Sequence, residues 1–242
     1  MEFPLDIDSL HKAGLDLVTE FVVQDYNAHI KKLNLPLKEL ETFGREKTKG
    51  YLIGHTRAFW EPFVNWLLET PNFENLDNPL DEYSHKIITT AFTAVTSHAN
   101  EKDLIYYWAN ETISEKLVAI QRLADLIGLA KLYEDVHLCV HKEYGPWIAF
   151  RAVVVMNENA DDFMVSSTNN TSGDVITKEE LANAVLAFKK AEYDISNTEA
   201  WILLRDSIPR FQKYKYTEEQ LYYHYTKDKS ILKSAVSQKQ ES

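Results

Sequence analysis

The segment Trp147-Ile-Ala-Phe-Arg-Ala-Val-Val-Val155 constrains this chain more than any other. Apart from one residue it is apolar and rich in β-branched side chains, the composition of a strand buried on both faces of a sheet. The exception is Arg151. An unpaired guanidinium in such a strand is very costly, so Arg151 must meet a carboxylate, either of the protein or of a ligand. A planar, two-pronged arginine is well suited to hold carboxylates or phosphates. On the residues alone, an internal ion pair and a ligand clamp stand level. Arg205, between Leu204 and Asp206 on a helical stretch, raises the same question, and a surface pair with Asp206 or a neighbour is the simpler reading there.

Composition narrows the setting of that strand. The chain has 242 residues, 45% of them apolar and 26% charged, an ordinary globular balance. A chain of this length buries enough surface to need no disulfide or metal staple. The net charge is −11, from 26 basic and 37 acidic residues, which argues against a broad nucleic-acid footprint or a polybasic membrane patch. One cysteine, Cys139, excludes an internal disulfide and a cysteine-rich zinc site. The acidic start is unlike a secretory signal, and no 18 apolar residues occur together. These features predict a cytosolic protein.

Periodicity predicts mixed helices and strands without internal repeats. Ser9 to Leu33 reads as helix with a break at Gly14, and Lys38 to Lys49 as charged loop. Gly50 to Gly54 reads as a short strand, after which Thr56 caps a helix through Leu68. Leu80 to Thr96 reads as helix and Leu104 to Trp108 as strand. Thr112-Ile-Ser-Glu115 has the form of a capping box, opening a helix that stops at Gly128. Val136 to His141 and Trp147 to Met156 read as a hairpin about the turn Lys142 to Gly145. Asn157 to Asp174 reads as a mobile loop. Thr177-Lys-Glu-Glu180 and Thr217-Glu-Glu-Gln220 are further capping boxes, and the apolar-poor stretch after Thr226 reads as a frayed tail. The sum is an α+β sandwich in one domain, residues 1–225, with residues 226–242 as the tail.

No Gly-rich phosphate loop, His-Glu-x-x-His or Gly-x-Ser-x-Gly is present. Asp135-Val-His137 begins like an Asp-x-His-x-x-Gly motif, but Val140 occupies the glycine position. His137, Cys139 and His141 alternate along the expected strand, where three residues rarely converge on one ion. We read them as a packed or pocket-lining face, with no metal and with Cys139 as a small buried hydrophobe. The clusters Tyr106-Tyr-Trp108 and Leu221-Tyr-Tyr-His-Tyr225 suit either core packing or stacking of a flat heterocycle.

Taken in order, these segments resemble one family. His137-Leu-Cys-Val-His-Lys-Glu-Tyr-Gly-Pro-Trp-Ile-Ala-Phe-Arg151 resembles the central hairpin of the cobalamin-processing proteins of the methylmalonic aciduria and homocystinuria type C family. Tyr26-Asn27 with Leu35-Pro-Leu37, then Gln121 to Gly128 with Tyr133-Glu134, and finally Trp201, Arg205-Asp206 and Tyr216-Thr-Glu-Glu-Gln220 match in the same order. The resemblance implies a nitroreductase-like α+β sandwich, mostly antiparallel sheet flanked by helices. It also implies a cytosolic protein that binds cobalamin base-off and removes its upper axial ligand. Two reactions are implied: glutathione-dependent dealkylation, and reductive decyanation with a flavin, FMN or FAD. A downstream cobalamin-trafficking adaptor is the implied partner, and a homodimer is left open.

The implied cobalamin contacts are Tyr107, Val118, Ala119, Ile120, Gln121, Leu132, Tyr133, Glu134, Cys139 and Phe150. The implied glutathione contacts are Arg151 and Arg205, and no protein residue is implied as nucleophile. Three departures from the family bear on the pocket. A family histidine near the nucleotide base is Asp125 here, and the loop from Glu134 to Cys139 is short. A third family arginine has no counterpart, leaving Lys227 or Lys229 to supply its charge. Two rivals remain: a flavin nitroreductase acting on small substrates, and a non-enzymatic cobalamin chaperone.

Overall fold

The computed structural model describes residues 5–95, 103–160 and 173–241. Its centre is a four-stranded sheet of order β1-β2-β6-β3, with every neighbouring pair antiparallel. The strands are β1 (Leu17–Val22), β2 (Thr48–His55), β3 (Leu104–Trp108) and β6 (Ala149–Asn159). The expected doubly buried strand is β6, and Ala152, Val153, Val154 and Val155 are fully buried in it. Its two faces feed two cores. Ala152, Val154 and Met156 pack beneath helices α1 (Ile7–Lys12), α3 (Trp60–Leu68), α4 (Pro79–Val95) and α9 (Lys229–Glu241). Val153 and Val155 pack with Leu52 and Tyr107 beneath α2 (Val23–Lys32) and α5 (Ile120–Leu126). The α+β class, antiparallel sheet flanked by helices, is therefore the one the sequence predicts.

A third core lies beside the sheet. A two-stranded ribbon, β4 (Lys131–Tyr133) and β5 (Leu138–Val140), packs with α6 (Lys178–Tyr193), α7 (Thr198–Asp206) and α8 (Glu218–Thr226) around Trp147. The expected hairpin is corrected here: β5 pairs with β4 and β6 pairs in the main sheet, so only the His141–Gly145 bridge closes the turn between them. Gly145 has φ +62°, and a Cβ there would sit 2.2 Å from the Phe211 ring, so the turn needs glycine. His137 is left-handed with φ 49° and lies outside β5, which removes the alternating His137, Cys139, His141 face.

Three further expectations change. Residues 9–33 are not one helix: Gly14 ends α1 and β1 intervenes before α2, because pairing with β2 decides the conformation of 17–22. The capping box at Thr112 does not form. The Glu111 carboxylate instead accepts from the amides of Thr112 and Ile113, and the helix begins only at Ile120. Residues 229–241 are no frayed tail. They form α9, whose Leu232, Ala235 and Val236 are buried in the first core, since its sparse apolar residues all fall on one face. Thr177 and Glu180 do form a reciprocal capping box. Of the expected loop at 157–174, residues 157–159 complete β6 and 161–172 lie outside the described residues. Among the described residues no helix is long and apolar enough to cross a membrane.

Candidate functional site

A cavity of about 590 Å³ opens where the second and third cores meet. One wall is the extended segment leading into α5. Buried Tyr26 holds it in place, accepting a 2.9 Å hydrogen bond at its hydroxyl from the Ala119 amide. This tertiary bond outweighs the local preference for an earlier helix start and exposes Val118, Ala119, Ile120 and Gln121 to the cavity. The ribbon supplies Leu132, Glu134 and Cys139, and the start of β6 supplies Phe150 and Arg151. Arg205 comes from α7, and His224 and Tyr225 from α8. Two cross-links stiffen the rim: Arg122 pairs with Glu134 at 2.6 Å, and Gln121 donates to the His137 carbonyl at 2.8 Å.

Arg151 owes its direction to a β-bulge. Ile53 faces Ala152, yet Gly54 faces Phe150, so Arg151 is the extra residue on β6. Phe150 thereby joins the face of Val153, while the Arg151 guanidinium lies 5.6 Å from the Phe59 ring on the opposite face. Its Nη1 is 3.9 Å from Asp81 Oδ1, an ion pair too long for a hydrogen bond. Asp81 is itself engaged by the side-chain amides of Asn78 and Asn110, at 2.5 and 2.8 Å. The strong contact is with His55, whose Nε2 is 2.7 Å from Arg151 Nη2. Arg151 Nε is buried without a hydrogen-bond partner. Both readings of the sequence thus have a counterpart: a carboxylate neighbour, and donors left for a ligand.

Arg205 does not pair with Asp206. Asp206 accepts from Lys215 at 2.6 Å and from Gln212 at 2.7 Å. Arg205 turns the other way, donates to the Pro146 carbonyl at 3.0 Å, and lies 5.7 Å from the rings of Trp147, Tyr216 and Tyr225. Among the described residues it has no carboxylate partner. Both arginines therefore line one cavity, and Arg151 keeps one nitrogen without a hydrogen-bond partner. Around them the bases are kept uncharged. Burial, then the charge of Arg151, pulls His55 well below its usual 6.5, and burial with Arg205 does the same to His224.

The Lys227 amine falls to about 8, through desolvation and then the Arg151 charge. Lys227 and Arg151 share a second cavity of about 270 Å³ with Asp81 and Asn110. Lys229 turns away to the carbonyls of Glu74 and Leu76.

Eight of the ten residues expected to touch cobalamin and both arginines line the main cavity; Tyr107 and Tyr133 do not. The Tyr107 hydroxyl accepts from the Glu41 amide, and the Tyr133 hydroxyl accepts from the amides of Val175 and Ile176. Both rings are buried core. Burial pushes the Cys139 thiol up to about 12, with the Asp125 charge adding to it, so Cys139 stays a thiol. Asp125 itself is off the wall, accepting from the Leu132 amide and pairing with Lys131 at 3.2 Å. Of the aromatic clusters, Tyr107 and Tyr223 are core and Tyr225 reaches the cavity. His55, Asp81 and His224 are the residues sequence reading missed. Only His224, inside an aromatic cluster already singled out, carried any signal.

No family model matches the chain, and no curated protein matches it significantly. A solved structure does: CblC of C. elegans, described as a B12-trafficking protein and a homologue of human MMACHC. The two superpose with a TM-score of 0.65 over 91% of this chain and 90% of that one, at 15% identity. That similarity establishes the shared fold, the nitroreductase-like sandwich the resemblance implies.

Proposed function

We propose that this chain binds cobalamin base-off in the main cavity and removes its upper axial ligand. The observation that carries the reading is convergence: eight expected contacts, scattered from Val118 to Phe150, meet Arg151 and Arg205 around one cavity. The fold shared with a B12-trafficking protein supports it. In dealkylation the thiolate sulfur of glutathione attacks the cobalt-bound carbon. A carbon–sulfur bond forms, the cobalt–carbon pair stays on cobalt as cob(I)alamin, and the thiol proton leaves to solvent. Arg151 and Arg205 hold the glutathione carboxylates and so align the sulfur, an orientation effect. Cys139, held as a thiol, takes no part.

For cyanocobalamin a reduced flavin, FMN or FAD, supplies the electrons. Phe150, Trp201 and Tyr225 line the cavity and would pack against its ring, and Arg205 would meet its phosphate. Lys227, beside Arg151, takes the charge role of the absent third arginine. The protein works in the cytosol and passes the processed cofactor to an adaptor.

The test is one spectrum. Methylcobalamin mixed with the protein should bind, and should convert to the reduced corrin only when glutathione is added. Binding without dealkylation would make the protein a chaperone, and no corrin change would leave a nitroreductase.

A further inference from the structure

His55 ends β2 and is 1% exposed, stacked on Phe59 at 4.2 Å. Its Nδ1 lies 2.8 Å from the Thr56 carbonyl. A carbonyl only accepts, so Nδ1 carries the proton and Nε2 is the acceptor that meets Arg151 Nη2 at 2.7 Å. Thr56 is fixed in turn, its amide and hydroxyl donating to the Asp16 carboxylate at 2.7 and 2.5 Å. The Thr56 carbonyl therefore sets the tautomer, and Asp16 holds Thr56 in place.

We infer that His55 is a positioning residue for Arg151, a neutral acceptor that orients the guanidinium without neutralising it. The inference rests on the glutathione reading above and names the residue that makes it work. A carboxylate at this place would satisfy Arg151 and compete with the carboxylate of a ligand. A neutral imidazole takes one N–H of the five and leaves the charge, and the remaining donors, for the cavity that Arg151 lines. Among the described residues the acidic neighbour is Asp81, which stands at 3.9 Å with two amides on it and does not take that place.

The experiment compares wild type with His55→Phe and His55→Gln. Phenylalanine keeps the ring and its stack on Phe59 but offers no acceptor, and glutamine restores an acceptor near the position of Nε2. In His55→Phe the KM for glutathione should rise about tenfold, equivalent to roughly 1.4 kcal/mol. The kcat at saturating glutathione and the affinity for methylcobalamin should stay close to wild type, and His55→Gln should recover most of the loss. A folded His55→Phe with wild-type KM overturns the inference. So does His55→Gln losing cobalamin and glutathione in parallel, which marks a structural role. If wild type does not consume glutathione, the functional reading fails instead, and nitrogen NMR of the ligand-free protein judges the pairing alone. A neutral Nδ1–H imidazole at pH 7 supports it, and an Nε2–H or doubly protonated ring overturns it.

Discussion

Replacing Arg151 by lysine separates the two roles that its sequence context allows. The charge survives, but the planar fork does not. Arginine reaches His55 at 2.7 Å with one nitrogen, stands 3.9 Å from Asp81 with another, and keeps a third unpartnered. A single ammonium nitrogen cannot hold His55 and two ligand oxygens in one plane. Losing a hydrogen bond to a charged group costs roughly 1.5–3 kcal/mol. At 1.4 kcal/mol per decade, kcat/KM for glutathione should fall by roughly ten- to a hundredfold. The assay follows the corrin spectrum of methylcobalamin over a range of glutathione concentrations, with the melting temperature recorded alongside. Methylcobalamin affinity should change by less than about threefold on the same scale. If Arg151 serves mainly the Asp81 pair, the variant will melt early and lose both ligands together. Asp81→Asn will then do the same, with the double variant no worse than either single one. That pattern would refute the clamp.

Four further outcomes are expected. Methylcobalamin should shift toward its base-off spectrum on binding, and an unchanged base-on spectrum would contradict the binding mode. Cys139→Ser should keep substantial dealkylation, and the wild-type thiol, raised to about 12, should resist alkylating reagents at pH 8 until the protein unfolds; loss of all turnover with cobalamin still bound would make Cys139 a participant. Leu232→Ala should cost about 2–5 kcal/mol in urea unfolding, because α9 is part of the first core; a change below about 0.5 kcal/mol would return it to the status of a tail. Stability should fall as the pH drops below 6.5. His55 and His224 have depressed values in the fold, so the unfolded chain takes up protons first, at up to roughly 1.4 kcal/mol per pH unit for each. Urea midpoints at pH 7.5 and 5.5 check the sign, and a midpoint higher at pH 5.5 would refute it.

Elements with strong local signals were legible. Leu104–Trp108 is a strand as its β-rich composition requires, α4 runs within a residue of its expected span, and the reciprocal box at Thr177 forms. Elements decided by distant partners were not. Leu17 to Val22 suits a helix by spacing and becomes a strand because β2 offers a ladder. Thr112 has a local box available, yet the Tyr26 hydroxyl draws the chain into an extended cavity wall. At the site, the segments carrying Val118 to Phe150 could be picked out in order along the chain, and so could both arginines. The partner of Arg151 could not: His55 lies 96 residues away, and nothing in Gly50 to His55 marks it apart from a polar end to an apolar strand.

The bulge at Arg151 makes the cavity a matter of counting. Everything after it on β6 keeps one phase, and everything before it is set half a period off, so Phe150 and not Arg151 takes the face of Val153. Deleting one residue between Phe150 and Ala152 would leave the apolar content of the strand intact. That residue is Arg151, so the two cores would close as before and the wall would keep its ring while losing its charge. Relatives of this fold can thus keep the same scaffold and hydrophobic profile and differ in what they admit, through a length change of one residue that composition does not register.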